Sequence, residues 1–514
     1  FKQKTAYEIM PSLVGSEMCI RDSCMVELMV SNDIKIQEYV FKEVNPMSNI
    51  LLLLMLLSYT IFMIPFILQL IYFITSTKKN PKLHGGKFIH STSPHVSILV
   101  PVRNEDPQLV IKLLRTISRL HYDKSKLEVI IISDDRKEDF LKLNNAVQQV
   151  LGSLDYEVKL LWRSKPIGYK AGALNYGLKY AKGEIIAVFD VDSEPEPNIL
   201  SVVLNYMRSG YDAVMVKWVP SNTHESLLSE AVGLYQEFAF KTLFAGRFNV
   251  LGYTSLAGSG FFISRKVLED VGGFCEETIL EDVDLGLRLF LKGYRICYTE
   301  DTYVRLEVPS SYASYKEQQK RWAYGALQIL RKYFGAILKC RRTLIEKLEY
   351  ITYLAQYLSS LFLMLFSLML VLYLCYADME LVVLYLFAAW LTVFVMYSLF
   401  FMSFGISKGL SAFRALRIIG RISGITYPMI PHLISAMLKA ASGKRFFWFV
   451  TPKGRKKQST RRKMSLLYET LFYLALTTLA LYVIIKGYLI ASLWLLLQLS
   501  SAPYFYYMFL RGKV

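Results

Sequence analysis

Four places in the 514-residue sequence gather side chains that could do chemistry. They are Asp134-Asp135 after Ser133, Asp190-Val191-Asp192, Glu281-Asp282 in ILEDVDLGLRL, and Gln318, Arg321 and Trp322 in EQQKRWAYG. Asp190 and Asp192 sit one residue apart, directly after an apolar run. Such a pair can hold one hard cation, Mg²⁺ or Mn²⁺, and leave its other coordination positions to the oxygens of a diphosphate. Alone the motif is weak, because acidic pairs are common in surface loops. An EF-hand is excluded, since Pro195 occupies the sixth position, where that loop requires glycine. Gln318 precedes Arg321 and Trp322 by one helical turn, so all three can share a helix face.

The elements that must position these residues alternate in character. VSILVPV, LEVIIIS and EIIAVFD are apolar, β-branched bursts, the pattern of parallel strands buried on both faces. Between them lie stretches such as QLVIKLLRTISRL, apolar at helical spacing. Residues 92–330 therefore read as an α/β domain with a mostly parallel sheet. Ligands of such sheets bind at the carboxyl edge, which is where Asp134, Asp135, Asp190 and Asp192 fall.

The rest of the chain reads as membrane. A composition 53% hydrophobic with a net charge of +18 suits apolar spans alternating with Lys/Arg-rich cytoplasmic loops far better than it suits a soluble protein. Residues 1–23 resemble translated sequencing adapter and are set aside as a non-native scar. Segment 24–76 contains the first span, an apolar run over 50–74 that is too long for a signal peptide and has no cleavage site after it. Pro65 within it is tolerable in a membrane helix. An amphipathic interfacial helix is expected at 331–350, two spans at 351–404, and two more at 464–514.

Between the last two pairs, segment 406–463 is basic at both flanks: Lys408, Arg414, Arg417 and Arg421 on one side, Lys444, Arg445 and the 453–463 run on the other. Positive charge on both sides places both on the cytoplasmic face, so GITYPMIPHLISAMLKAA between them is read as interfacial. Five spans result, with the α/β domain and the C-terminus cytoplasmic. Nucleic acid is a poor partner for the 453–463 run, because a span follows it at once. A transporter or channel is disfavoured, because the spans carry almost no charge. Cys275, Cys297, Cys340 and Cys375 show neither metal-ligand nor CxxC spacing and are read as reduced thiols.

In their order along the chain, Asp134-Asp135, Asp190-x-Asp192, Glu281-Asp282 and Gln318-x-x-Arg321-Trp322 resemble the motifs of the family-2 processive glycosyltransferases, the group of cellulose, chitin, hyaluronan and mannan synthases. PIGYKAGALN, GSGFFISRKVLEDVGGF, LFLKGYRICY and LEVPSSYASYKEQQKRWAYG fill the gaps, and WFVTPKG looks like the family's gating loop. The resemblance runs from about residue 94 to 455. Two departures stand out: Leu280 where Thr is usual before Glu-Asp, and Trp448 where Phe usually opens the gating loop.

The resemblance implies a GT-A-type, Rossmann-like cytoplasmic catalytic domain inserted in an α-helical transmembrane domain of the plasma membrane. Its implied reaction is inverting transfer of a sugar from a UDP-sugar or GDP-mannose. Asp282, with Glu281 beside it, would supply the base, since a carboxylate desolvated in a cleft gains a raised pKa. Both would equally serve the positive end of the helix they begin. Asp190 and Asp192 would hold the metal, and Arg321 would add a fork of donors to the phosphates. Asp134, Asp135, Lys170, Thr451 and Lys453 would bind the donor together with Asp190 and Arg321, with Lys170 equally readable as a solvated surface lysine. Gln318 and Trp322 would face the acceptor, Trp322 being readable also as an interfacial tryptophan. The acceptor is expected to be a growing β-linked polysaccharide passed through the membrane, or alternatively a membrane lipid that receives one sugar. Five spans are few for a channel, which a homo-oligomer would remedy. KWVPSN and LEVP lean toward mannan or glucan synthases.

Overall fold

A computed structural model of the chain describes residues 46–77, 93–377, 380–444, 446 and 466–510. The adapter-like start, the gating-loop-like WFVTPKG with Thr451 and Lys453, and Arg445 with the whole basic 453–463 run lie outside the described residues.

Eight strands form one sheet: β1 Val96–Val102, β2 Leu127–Ser133, β3 Glu157–Trp162, β4 Ile185–Val188, β5 Glu194–Pro195, β6 Ala213–Pro220, β7 Phe261–Ser264 and β8 Ile296–Leu306. Their order is β3-β2-β1-β4-β7-β6-β8-β5. The first four in that order run parallel, and their apolar runs are why: β2 is buried along its whole length, as a strand covered by helices on both faces must be. Register then aligns the chemistry. Val102 pairs with Ser133 and Leu99 with Val188, so Asp134 and Asp190 leave the sheet at the same edge. Antiparallel β7 starts where β4 ends, Phe261 opposite Val188, and brings Gly258 and Ser259 to that edge.

Five helices are long and apolar enough to cross a membrane: Pro46–Ser76, Leu358–Ala377, Glu380–Ser407, Leu467–Ile485 and Leu489–Leu510. Helices Ala412–Thr426 and Ile430–Ala441 meet at a turn around Pro428, and each is shorter than the roughly 20 residues a crossing needs. The expectation of a single helix over 331–350 is corrected. Helix Tyr312–Lys339 runs through the first half of that stretch, and Thr343 then caps a new helix, Leu344–Ala355, in a reciprocal capping box with Glu346. The second span begins at Leu358 accordingly, later than the expected 351.

A buried ionic knot fastens the α/β domain to the first span. Arg247, with no exposed surface, forks onto Glu349 at 2.7 and 2.8 Å, and the same carboxylate accepts from Tyr72 Oη at 2.9 Å and Tyr253 Oη at 3.0 Å. The guanidinium also lies 4.3 Å from the Tyr353 ring centroid. Gly246 is required beside it, because a Cβ there would meet the Tyr72 carbonyl oxygen at 2.0 Å. Elsewhere Lys316, on the helix that carries Gln318, Arg321 and Trp322, pairs with Glu469 of the fourth span at 3.0 Å.

Candidate active site

One cavity of about 1390 Å³ gathers most of the residues that the sequence singled out. Asp134, Lys170, Asp190, Asp192, Glu281, Asp282, Gln318, Arg321 and Trp322 all line it. The same cavity continues among membrane helices, along Phe62, Leu363, Trp390, Phe394, Trp494 and Gln498.

The two aspartates after β2 separate in role. Asp134 lines the cavity and receives a fork from Arg163, Nε at 2.6 Å and Nη2 at 2.5 Å. Asp135 is not among the lining residues; it accepts from the Asn104 amide at 2.5 Å and Ser133 Oγ at 2.9 Å, bracing the loop after β1. A direct donor contact is therefore expected of Asp134, while Asp135 shapes the loop beside it. Arg163 went unnoticed in the sequence, because nothing local marks a partner 29 positions away.

Arg163 also donates to the carbonyls of Ile167 and Tyr169. There the chain passes through two left-handed residues, Gly168 at φ 79° and Tyr169 at φ 54°, and turns into helix Tyr169–Leu178. Such a conformation is unusual for tyrosine and persists only where its surroundings enforce it. The turn delivers Lys170 into the acidic centre. Its Nζ donates to the Gly258 carbonyl at 2.6 Å and lies 3.0 Å from Asp190 and 3.1 Å from Glu281. The solvated-lysine reading is thereby corrected. Burial alone would pull its pKa down, but Asp190, Glu281 and Asp282 outweigh it and hold the ammonium above its ordinary value.

Glu281 and Asp282 open helix Glu281–Lys292, where Leu280 is the N-cap and offers no side-chain cap. The pair thus stands at the positive end of that helix and at the wall of the cavity together. Asp282 has its pKa pushed up to about 7, first by burial and then by Glu281, against the opposing pull of Lys170 and the backbone N–H groups of Asp282 and Val283. Across the cavity, burial lowers the Arg321 pKa against the pull of Glu281, Asp190 and Asp282.

A raised carboxylate pKa has a definite sign. Between the ordinary 3.8 and about 7 the folded chain binds the extra proton, so Asp282 costs stability increasingly as pH rises through that window. If Asp282 accepts a proton in the reaction, turnover rises as pH passes through about 7 and levels above it. A pH–rate profile at saturating donor checks this; a rate flat from pH 5.5 to 8.5 would remove Asp282 from the proton-transfer step.

The metal assignment can be tested against the donors present. Asp190 and Asp192 offer carboxylate oxygen only, and among the described residues no group of three His, Cys, Asp or Glu side chains is placed to hold an ion. Two carboxylates without a third protein ligand fit Mg²⁺ or Mn²⁺, which complete their coordination with phosphates and water. Asp192 is buried and accepts from the Glu307 amide at 3.1 Å, so it also pins the chain at β8. Asp190 is the more open of the two, with its own amide donating to Ser259 Oγ at 3.1 Å.

Comparison with known proteins identifies the family. Residues 97–272 match a model described as Glycosyl transferase family 2, and residues 185–404 one described as Glycosyl transferase family group 2. A probable glycosyltransferase of Sulfolobus acidocaldarius is 31% identical over 91% of this chain and 99% of its own length. A probable glucomannan 4-beta-mannosyltransferase of rice is 30% identical, over 51% of this chain and 45% of its own. A beta-monoglucosyldiacylglycerol synthase of Trichormus variabilis is 34% identical, over 50% and 54%. Among solved structures, a mannosyltransferase from Pyrobaculum calidifontis in complex with GDP-Man and Mn²⁺ superposes with a TM-score of 0.53 at 19% identity, covering 76% of this chain and 100% of that one. Fold and matches together define a glycosyltransferase with a GT-A-like α/β domain flanked by helices able to span a membrane. The chain belongs to glycosyltransferase family 2.

Proposed function

We propose that this enzyme transfers a hexose, with inversion, from a nucleoside-diphosphate sugar at the polar end of the cavity to an acceptor carried on a membrane lipid. One observation carries the proposal: the cavity that holds the acidic cluster is continuous with an apolar wall among the membrane helices. Leu391, Phe394, Val395, Leu399 and Leu416 form part of that wall. Such side chains solvate an acyl or isoprenoid chain and offer no hydrogen bonds to a glycan. The polysaccharide-forming alternative has its own support in Trp322, Trp390 and Trp494, rings on which sugars could stack along the same cavity.

In this mechanism Asp282 takes the proton of the acceptor hydroxyl. That oxygen attacks the anomeric carbon from the face opposite the diphosphate, which departs with its bonding electrons. Asp134 holds the nucleoside side of the donor, its carboxylate held in place by the Arg163 fork. Arg321 and Lys170 face the charge that accumulates on the departing group. Gln318 and Trp322 orient the acceptor. A divalent cation held by Asp190 and Asp192 would neutralise part of the diphosphate charge.

The test uses purified protein in lipid vesicles with radiolabelled UDP-glucose, UDP-N-acetylglucosamine and GDP-mannose. The expected product is an organic-extractable lipid bearing a single labelled sugar. Label confined to a large glycan that resists extraction would overturn the lipid acceptor and favour the polymer. Separately, Asp190→Ala is expected to abolish most transfer without lowering the unfolding temperature. Full activity in excess chelator would sink the metal assignment.

A further inference from the structure

The acidic centre already contains a cation of its own. The ammonium of Lys170 lies 3.0 Å from Asp190 and 3.1 Å from Glu281 and is fixed by the Gly258 carbonyl at 2.6 Å. This contact is not a chance reach of a long side chain. Two consecutive left-handed residues, Gly168 and Tyr169, aim it, and a Cβ at Gly168 would strike Glu276 Oε2 at 2.3 Å. We infer that Lys170 and a divalent cation are alternative partners of the Asp190 carboxylate, so that the nucleotide-free protein resists the metal and admits it together with a nucleoside diphosphate. The inference rests on the reading of Asp190 as a cation ligand and adds an order of binding to it.

The physical argument is electrostatic. With Lys170 paired, a divalent ion arriving alone meets a carboxylate already neutralised and a positive charge close by, which repels it. A diphosphate changes both conditions, because its oxygens offer the ammonium a new partner and offer the metal further ligands. Lys170 then passes from Asp190 to the phosphates while the metal takes its place. The consequence for an enzyme beside a membrane is that it does not sequester divalent ions while idle, and donor and metal arrive as one complex.

The test is direct binding of Mn²⁺ to the full-length protein, followed by electron paramagnetic resonance with and without UDP or GDP. Wild-type protein should bind Mn²⁺ weakly alone and markedly tighter with a diphosphate. In Lys170→Met the repelling charge is gone, and nucleotide-free Mn²⁺ should bind at least about tenfold tighter than in wild type, the scale expected when one close unit charge is removed in high dielectric. Lys170→Arg, which keeps the charge, should resemble wild type. Mn²⁺ alone should also raise the unfolding temperature of Lys170→Met more than that of wild type. If Lys170→Met folds poorly, Lys170→Gln and the wild-type comparison carry the same test. Tight nucleotide-independent Mn²⁺ binding by wild type, or unchanged or weaker nucleotide-free binding by Lys170→Met, overturns the inference. A different failure identifies the underlying reading: if Asp190→Ala leaves the diphosphate-dependent Mn²⁺ signal intact, Asp190 is not a ligand at all.

Discussion

In Asp282→Asn, transfer of the sugar to its acceptor is expected to fall by about 10²–10⁴-fold, the usual contribution of a positioned general base. The substitution keeps the side chain's size and its place at the start of helix Glu281–Lys292 but leaves nothing able to accept the hydroxyl proton. Glu281 cannot readily substitute, because it is buried and its carboxylate is paired with Lys170 at 3.1 Å. Donor binding should survive, since the groups assigned to the nucleotide, Asp134 and Arg321, are not altered. The two readouts are initial transfer rate and nucleotide affinity measured by calorimetry. Trp322→Ala should separate from Asp282→Asn: acceptor engagement suffers, while slow transfer of the sugar to water continues. Near-normal transfer by Asp282→Asn would place the base elsewhere, and loss of nucleotide binding would make Asp282 a donor ligand.

Why the carboxylates that line the cavity could be picked out of the sequence while their partners could not is a matter of range. β1 and β2 follow the bursts VSILVPV and LEVIIIS residue for residue, because a strand buried on both faces is made mostly of apolar side chains. β8, ICYTEDTYVRL, gives no such signal. It carries Thr, Glu, Asp and Arg, and pairs with β6 through a register shift at Val216/Lys217. Antiparallel β7 is only FFIS, too short to distinguish from a helical fragment, yet it sets Ser259 against Asp190 and Gly258 against Lys170.

The neighbouring carboxylates Asp134 and Asp135 are likewise equivalent in sequence. They differ only through long-range partners, Arg163 for one and the Asn104 amide for the other. Lys170 was ambiguous for the same reason, its environment being assembled from residues 190, 258 and 281. One miss was avoidable. Thr343-x-x-Glu346 is a capping box that announces a new helix, and it divides the stretch read as a single interfacial helix.

The second large effect concerns the joint between membrane and catalytic domain, where Glu349→Ala is expected to cost about 3–5 kcal/mol, the range found when one partner of a buried ion pair is removed. The cost arises less from the lost attraction than from what remains. Arg247 has no exposed surface, so its charge would stay desolvated with its fork unanswered, and the hydroxyls of Tyr72 and Tyr253 would lose the same acceptor. The neighbouring rings of Tyr350 and Tyr353, 4.9 and 4.3 Å from the guanidinium, supply only part of the missing stabilisation. The pair itself need not be stabilising relative to an apolar contact of the same shape. The double variant Arg247→Met, Glu349→Leu should therefore recover much of the loss. Thermal unfolding of the protein in lipid would show the single variant well below wild type and the double variant between them. Equal unfolding temperatures for Glu349→Ala and wild type would mean that water reaches the knot. Because Tyr72 lies one turn before the end of the first span and Gly246 packs its backbone against the Tyr72 carbonyl, Glu349→Ala should also loosen the α/β domain from that span. Faster amide hydrogen exchange in helix Arg247–Leu251 and the last turns of the first span would reveal it before global unfolding does.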